Sequence, residues 1–209
     1  MGQANYNNSV FINCPFDTDY ENLIRAIVFG IYRCGFYPVT AKLDDNGLDT
    51  RISKIERIIE NCRFGIHDLS RTELNIHQLP RYNMPFELGI FFGARRYGDQ
   101  YQKKKNALIL DSTPYRYLEF ISDLRGVDIR AHNNDDLTAM LLVRKWLKTA
   151  SKRATIPGET LMSDEYNDFK LRLPEIAKNL GTNSADLPFN DYCSLVEEEI
   201  TILVNNHNL

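Results

Sequence analysis

Along the first 150 residues, short apolar runs alternate with longer stretches whose apolar positions recur every three to four residues. The short runs predict strands over Ser9–Phe16, Phe36–Ala41, Arg63–Leu69, Asn106–Asp111 and Val127–Arg130. The longer stretches predict helices. In Tyr20–Cys34, Leu23, Ile27, Ile31 and Cys34 share one face, and Gly35 stands where a left-handed terminator belongs. Thr50–Cys62 carries the stripe Ile52, Ile55, Ile58 and Ile59. Asn83–Tyr97 is apolar nearly all round, through Phe86, Leu88, Ile90, Phe91 and Phe92, and is expected to be buried. Pro114–Leu124 reads as helical, and Asp135–Ser151 carries Leu137, Met140, Leu141, Trp146 and Leu147. Asp44–Asp49 and Arg71–Tyr82 have loop chemistry.

Five βα units in succession predict an α/β fold of the flavodoxin type: a five-stranded parallel sheet in the order 2-1-3-4-5, covered by helices on both faces. Ser151–Glu159 has the composition of a linker. It divides an α/β nucleotide-binding domain, 1–150, from a small helical extension, 151–209, in which Ser163–Leu180, broken at Pro174, and Asp191–Val204 are helical. Some 50 residues bury little core alone. The apolar face of Tyr192, Leu195, Val196, Ile200 and Leu203 therefore points to contact in a homo-oligomer, with packing back on the parent domain as the alternative.

The chain is 43% hydrophobic and 25% charged, an ordinary globular mix, and its net charge of −3 supplies no basic field for nucleic acid or an anionic membrane. No nucleic-acid or membrane partner is expected. The opening MGQANYNNSVFINCPF has no basic stretch followed by an apolar one, Tyr6 fails the myristoylation pattern, and no apolar run approaches the ~20 residues of a membrane span. Cys14, Cys34, Cys62 and Cys193 show no CxxC spacing and read as reduced thiols, so a cytoplasmic location is expected.

In open α/β sheets, ligands bind outside the carboxyl ends of the strands where the strand order reverses. With the order 2-1-3-4-5 that crevice lies between strands one and three, lined by Asn13–Asp17, His67–Arg71 and Asn83–Glu87. The chain lacks GxGxxG, a Walker loop, HExxH and GxSxG. His67 and His77 stand ten residues apart without a third ligand, so no metal is expected. Cys14 is a nucleophile after a strand or a small buried thiol. Glu87 sits one turn into an otherwise apolar helix. It is either an acid stabilised by the helix dipole or a carboxylate turned toward the crevice, and is expected to stay charged at neutral pH.

Three segments, VFINCPFD, HDLSR and NMPFELGIFFGA, carry a resemblance. The last resembles the (N/P)NVxxELGxA pattern of bacterial TIR-like nucleotide-binding proteins, in the wider superfamily of the nucleoside 2-deoxyribosyltransferases. The resemblance covers residues 9–150, with Met84-Pro85-Phe86 where a small β-branched residue is usual. It implies a flavodoxin/TIR-like fold, Glu87 as the catalytic residue, and cleavage of the N-glycosidic bond of NAD as substrate with no further cofactor. It also implies a setting in bacterial antiphage defence, with an oligomer and a defence-system partner protein. Substrate contacts then fall to Asp17 in the Phe-Asp turn and to Asp68 and Ser70 at ribose hydroxyls. Asn83 acts there or as an N-cap, Phe16 stacks on a base or packs in the core, Tyr20 stacks on a base, and Arg81 and Arg71 meet phosphates or are solvated loop arginines. Tyr115 and Arg116 are marginal rim candidates, and Lys103–Lys105 reads as a solvated charge run.

Rupture of a ribosyl C–N bond passes through an oxocarbenium-like centre, which one carboxylate can stabilise or attack. Nicotinamide leaves NAD as a neutral molecule, so no acid is needed; an unactivated nucleoside normally needs one. One glutamate therefore suits NAD better than deoxyribosyl transfer. The alternatives are a nucleoside 2-deoxyribosyltransferase-like hydrolase and a non-catalytic nucleotide sensor or TIR-type assembly adaptor.

Overall fold

In a computed structural model, residues 4–43, 46–72 and 81–206 are described. Five parallel strands form one sheet: β1 (Ser9–Asn13), β2 (Tyr37–Val39), β3 (Phe64–Asp68), β4 (Asn106–Asp111) and β5 (Ile129–Ala131), in the order β2-β1-β3-β4-β5. Each pair is in parallel register, with Asn13 opposite His67 where β1 and β3 end. The order and direction match the alternation of periods in the sequence.

Among the described residues, six α-helices accompany the sheet: α1 (Glu21–Arg33), α2 (Arg51–Asn61), α3 (Asn83–Tyr97), α4 (Asp136–Ser151), α5 (Glu159–Asn179) and α6 (Phe189–Asn206). The period of two along the strands assigns them to faces. Val10, Ile12, Phe64, Ile66, Leu108 and Leu110 pack with α1, α4, α5 and α6. Phe11 packs with Ile55, Ile58 and Ile59 of α2 and Phe91 of α3 on the other side. Local chemistry sets the helix ends. Thr50 and Asp135 cap α2 and α4 through their side chains. α1 closes as the sequence predicts: Gly35 takes φ +77°, its N–H reaches the Tyr32 carbonyl and that of Phe36 reaches Ile31, a Schellman motif.

The C-terminal helices complete the core. Met162, Tyr166, Phe169, Leu173 and Ala177 make one buried stripe along α5, and Tyr192, Val196 and Ile200 one along α6. Arg33 of α1 grips Glu165 of α5 through two nitrogens at 2.6 and 2.8 Å, both residues almost fully buried. The apolar face of α6 that suggested an oligomer contact is thus largely used within the chain.

Four local expectations are corrected. Pro174 does not break its helix; α5 runs through it, because the stripe buried on both sides of the proline offsets the roughly 3 kcal/mol it costs. Pro114–Leu124 is not an α-helix but two 3₁₀ turns, Arg116–Glu119 and Ser122–Leu124: Tyr115 at φ +64° precedes the first, and Phe120 and Ile121, at φ −128° and −146°, leave the helical region between them. α3 is only half buried: it hides Met84, Glu87, Leu88 and Phe91 and leaves Phe86 59% exposed; Ile52 of α2 is exposed as well.

Lys105 is the fourth. It is not solvated but 2% exposed, its Nζ donating to the carbonyls of Ile59 and Cys62 at the end of α2 and lying 4.8 Å from the Phe91 ring centroid. It is a cation at a helix C-terminus, where the dipole favours it. Burial pulls its pKa down to about 8, so the ammonium persists at neutral pH. Lys105→Met keeps the length but leaves carbonyls unpaired, and should cost about 1–3 kcal/mol in urea unfolding. An unchanged midpoint would show that the contact contributes nothing.

Candidate functional site

The carboxyl edge is organised around Asn13. Its Nδ2 donates to the Met84 carbonyl at 2.9 Å and meets His67 Nδ1 at 3.0 Å. A carbonyl only accepts, so the amide nitrogen is the donor, and its two hydrogens serve both partners. The His67 proton is thereby placed on Nε2, the ring lying edge-on between Phe11 and Phe91, with centroids 5.6 and 4.9 Å away. Gly65 makes room: a Cβ there would lie 2.8 Å from the Phe91 ring and 2.9 Å from His67 Nε2. Burial, reinforced by Lys105, lowers the His67 pKa to about 3.

This clamp fixes the first turn of α3, and Glu87 follows one turn later. Glu87 is 5% exposed and its Oε1 lies 3.4 Å from Arg51 Nη2 at the start of α2. Burial raises the Glu87 pKa above its ordinary value, and Arg51 pulls against that rise. Arg51 was not foreseen. The available signal was a cation in the first helical position after the cap Thr50, the end where the helix dipole disfavours positive charge.

Asp68 lies on the other face of the sheet. Its carboxylate accepts from Tyr20 Oη at 2.5 Å and the Ser70 amide at 2.8 Å, and His132 Nε2 stands 3.1 Å away. His132 Nδ1 accepts from the Asn134 amide, which leaves its hydrogen on Nε2, toward Asp68. Burial alone would raise the Asp68 pKa, but His132, Ser70 and Tyr20 outweigh it and hold it below the usual value. Asp68 and Tyr20 are almost fully buried and engaged with each other rather than presented to solvent. His132 was not foreseen, because only the strand order brings it beside Asp68.

On the rim, Asp17 pairs with Arg71 and Arg81, each at 2.9 Å, and Arg71 also meets Asp19 at 2.8 Å. Both arginines proposed for phosphates are thus committed to carboxylates. Asp17 is pushed up by burial and pulled further down by the two arginines, ending below its ordinary value. Phe16 packs edge-to-face on Phe189 at 5.8 Å, with Lys42 Nζ 5.0 Å above its ring. Asn83 is exposed and is the first helical residue, not the cap: Tyr82 holds that position without a side-chain bond. Burial raises the Cys14 pKa well above the ordinary thiol value, which makes it a packed thiol rather than a nucleophile. All four cysteines are free and buried. Arg116 binds Asp111 and the Leu69 carbonyl, and Tyr115 is exposed. His77 lies outside the described residues.

A 210 Å³ cavity lies between Phe16, Lys42 and Phe189, and a 280 Å³ cavity between Tyr20, Ser70 and Asn134. A 570 Å³ groove follows α2 and α3 past Glu56 and Gly93. Glu87 lines none of these three. The structure therefore brings together Asn13, His67, Arg51 and Glu87 on the α2/α3 face, and Tyr20, Asp68 and Ser70 on the α1/α4 face. Among the described residues, no group of three or more His, Cys, Asp or Glu is placed to hold a metal, and no helix is long and apolar enough to cross a membrane. Comparison with protein-family models, with curated proteins and with solved structures finds no match.

The His67 environment sets a pH dependence. Its folded pKa of about 3 lies below the unfolded value of ~6.5, so the folded state binds fewer protons in between. Stability is full above pH ~6.5 and falls by about 1.4 kcal/mol per unit as the pH drops toward the folded value. Urea unfolding of wild type and His67→Gln at pH 7 and pH 5 should show an extra loss of about 2 kcal/mol in the wild type. Equal losses in the two proteins would contradict this placement of His67.

Proposed function

We propose that the chain is a TIR-like enzyme that cleaves the N-glycosidic bond of NAD, with ionised Glu87 facing C1′ of the nicotinamide ribose. The supporting observation is the Glu87 carboxylate: buried on the first helix after the switch-point strand, with an elevated pKa and a long contact to Arg51, whose side chain is 62% exposed. Buried carboxylates with perturbed pKa values beside a switch point are candidates for chemistry. The parallel 2-1-3-4-5 sheet is the fold that the resemblance implies.

In the proposed reaction the C1′–N bond breaks and nicotinamide departs neutral. Glu87 stabilises the oxocarbenium centre, and water adds to C1′ with loss of a proton to give ADP-ribose. Attack by a group of the same molecule would give a cyclic product instead. Asn13 acts as a positioning residue through the Met84 carbonyl. Exposed Asn83, one turn before Glu87, is free to meet a ribose hydroxyl, and a base stacking on Phe16 has to displace Lys42 from its ring. Contacts from Asp17, Arg81, Asp68 or Tyr20 require their present pairs to open, and Ser70 lies on the opposite face. Antiphage defence, a homo-oligomer and a defence partner protein complete the proposal on the strength of the resemblance.

A carboxylate aimed at developing positive charge in a water-poor site can be worth ~3–4 kcal/mol. Glu87→Gln keeps the shape and loses the charge, so it should cut nicotinamide release at least ~100-fold while the melting temperature holds or rises. Because the Glu87 pKa is raised, wild-type activity should fall on the acid side above the ordinary carboxylate range. Arg51→Gln should move that limb to higher pH. A folded Glu87→Gln that retains comparable NAD cleavage makes Glu87 a structural acid. Base exchange on deoxynucleosides without NAD cleavage would favour the deoxyribosyltransferase alternative, and binding without turnover a sensor.

A further inference from the structure

The 280 Å³ cavity lies on the α1/α4 face, away from Glu87, and its lining has a distinct chemistry. Its two charged members, Asp19 and Arg71, are paired at 2.8 Å, and Arg71 also meets Asp17. The site therefore carries no surplus charge for a phosphate or a cation. The remaining polar groups are hydroxyls and amides. Ser70 is 3% exposed, and its hydroxyl has no hydrogen-bond partner among the described residues. The side-chain amides of Asn22 and Asn134 make no hydrogen bond to another described residue. Ser112 contributes a second hydroxyl, and Leu23 and the Tyr20 ring supply an apolar wall.

These groups are held in place. The Ser70 amide is fixed to Asp68 and the Asn134 amide to His132, so both backbones are tied to one buried network. Asn134 keeps φ at +56°, a left-handed conformation that asparagine tolerates better than most residues. A buried hydroxyl without a partner costs free energy, which a ligand hydroxyl would recover. The planar amides and the Ser70 hydroxyl donate and accept, and the Ser112 hydroxyl, which donates to Asp111 Oδ1 at 3.4 Å, keeps its lone pairs to accept; together they match adjacent hydroxyls of a sugar ring, while the apolar wall suits its C–H face. At 280 Å³ the cavity falls just below the ~300–1,000 Å³ of drug-sized ligand sites, which suits a single small ring.

We propose that this cavity binds a neutral vicinal diol on a single pentose ring, as free sugar or as part of a nucleoside, at a site separate from Glu87. The test is a ¹⁵N–¹H NMR titration of the full chain with D-ribose, adenosine and inorganic phosphate. Ribose or adenosine should shift the amides of Ser70, Ser112 and Asn134. Comparable affinities assign the sugar ring alone; adenosine tighter by tenfold or more assigns a nucleoside. Ser70→Ala removes an unpartnered hydroxyl and should not lower the melting temperature. Asn22→Leu alters an exposed position of α1. Each should weaken binding about five- to tenfold, the loss of roughly one hydrogen bond, and Glu87→Gln should leave it unchanged. Absence of binding by both sugars, binding of phosphate in their place, undiminished binding in both variants, or an equal loss in Glu87→Gln would overturn the proposal. Loss of NAD cleavage in Glu87→Gln with ribose binding intact separates the two sites.

Discussion

One asparagine side chain holds three elements of the carboxyl edge in a single geometry. Asn13 ends β1, faces His67 across the β1/β3 register, and reaches the first turn of α3 through the Met84 carbonyl. All three groups are buried, so none of these bonds can be exchanged for water without opening the edge. The position of Glu87 follows. α3 starts where Asn13 holds it, and one further turn carries the carboxylate to the start of α2, where Arg51 is the cation that meets it. The same constraint explains the neutral His67: Nδ1 is an acceptor, Nε2 lies among Gly65 and two aromatic rings, and a second ring proton would find no partner there.

The pleat of the sheet divides this edge in two. Odd positions of β1 and β3, Asn13 and His67, turn toward α2 and α3; the even position Asp68 turns toward α1 and meets Tyr20 and His132. Residues neighbouring in sequence, such as His67 and Asp68, therefore belong to different polar systems. One carries a buried glutamate with a raised pKa. The other encloses a carboxylate held below its usual pKa and roofs it with a neutral polar cavity. Two neighbouring polar systems on opposite faces are what a period of two produces at the end of a parallel strand.

The architecture was legible because each strand and helix carries its own period, and because Gly35, Thr50 and Asp135 mark helix ends with local chemistry. Glu87 was legible as an acid in an apolar helix beside the switch point. Less legible were features that depend on tertiary contact. Lys105 looks like the last of three surface lysines until β4 places it under the end of α2. Pro174 looks like a helix breaker until the stripe around it is buried. His132 and Arg51 lie far along the chain from the acids they meet, and no spacing rule links them. The pairing of Arg71 and Arg81 with Asp17 was equally hidden, since Asp17 lies more than fifty residues earlier in the chain.

The central claim is that NAD reacts on the α2/α3 side of the edge, with its anomeric carbon beside Glu87. The most direct measurement is a crystal structure of Glu87→Gln with NAD bound, since the charge-neutral side chain should hold the substrate without turning it over. The account predicts the nicotinamide ribose against residue 87, with C1′ in contact with the substituted amide and the Asn13 clamp intact. A structure in which no nicotinamide ribose contacts residue 87, whatever the α1/α4 cavity holds, would contradict it.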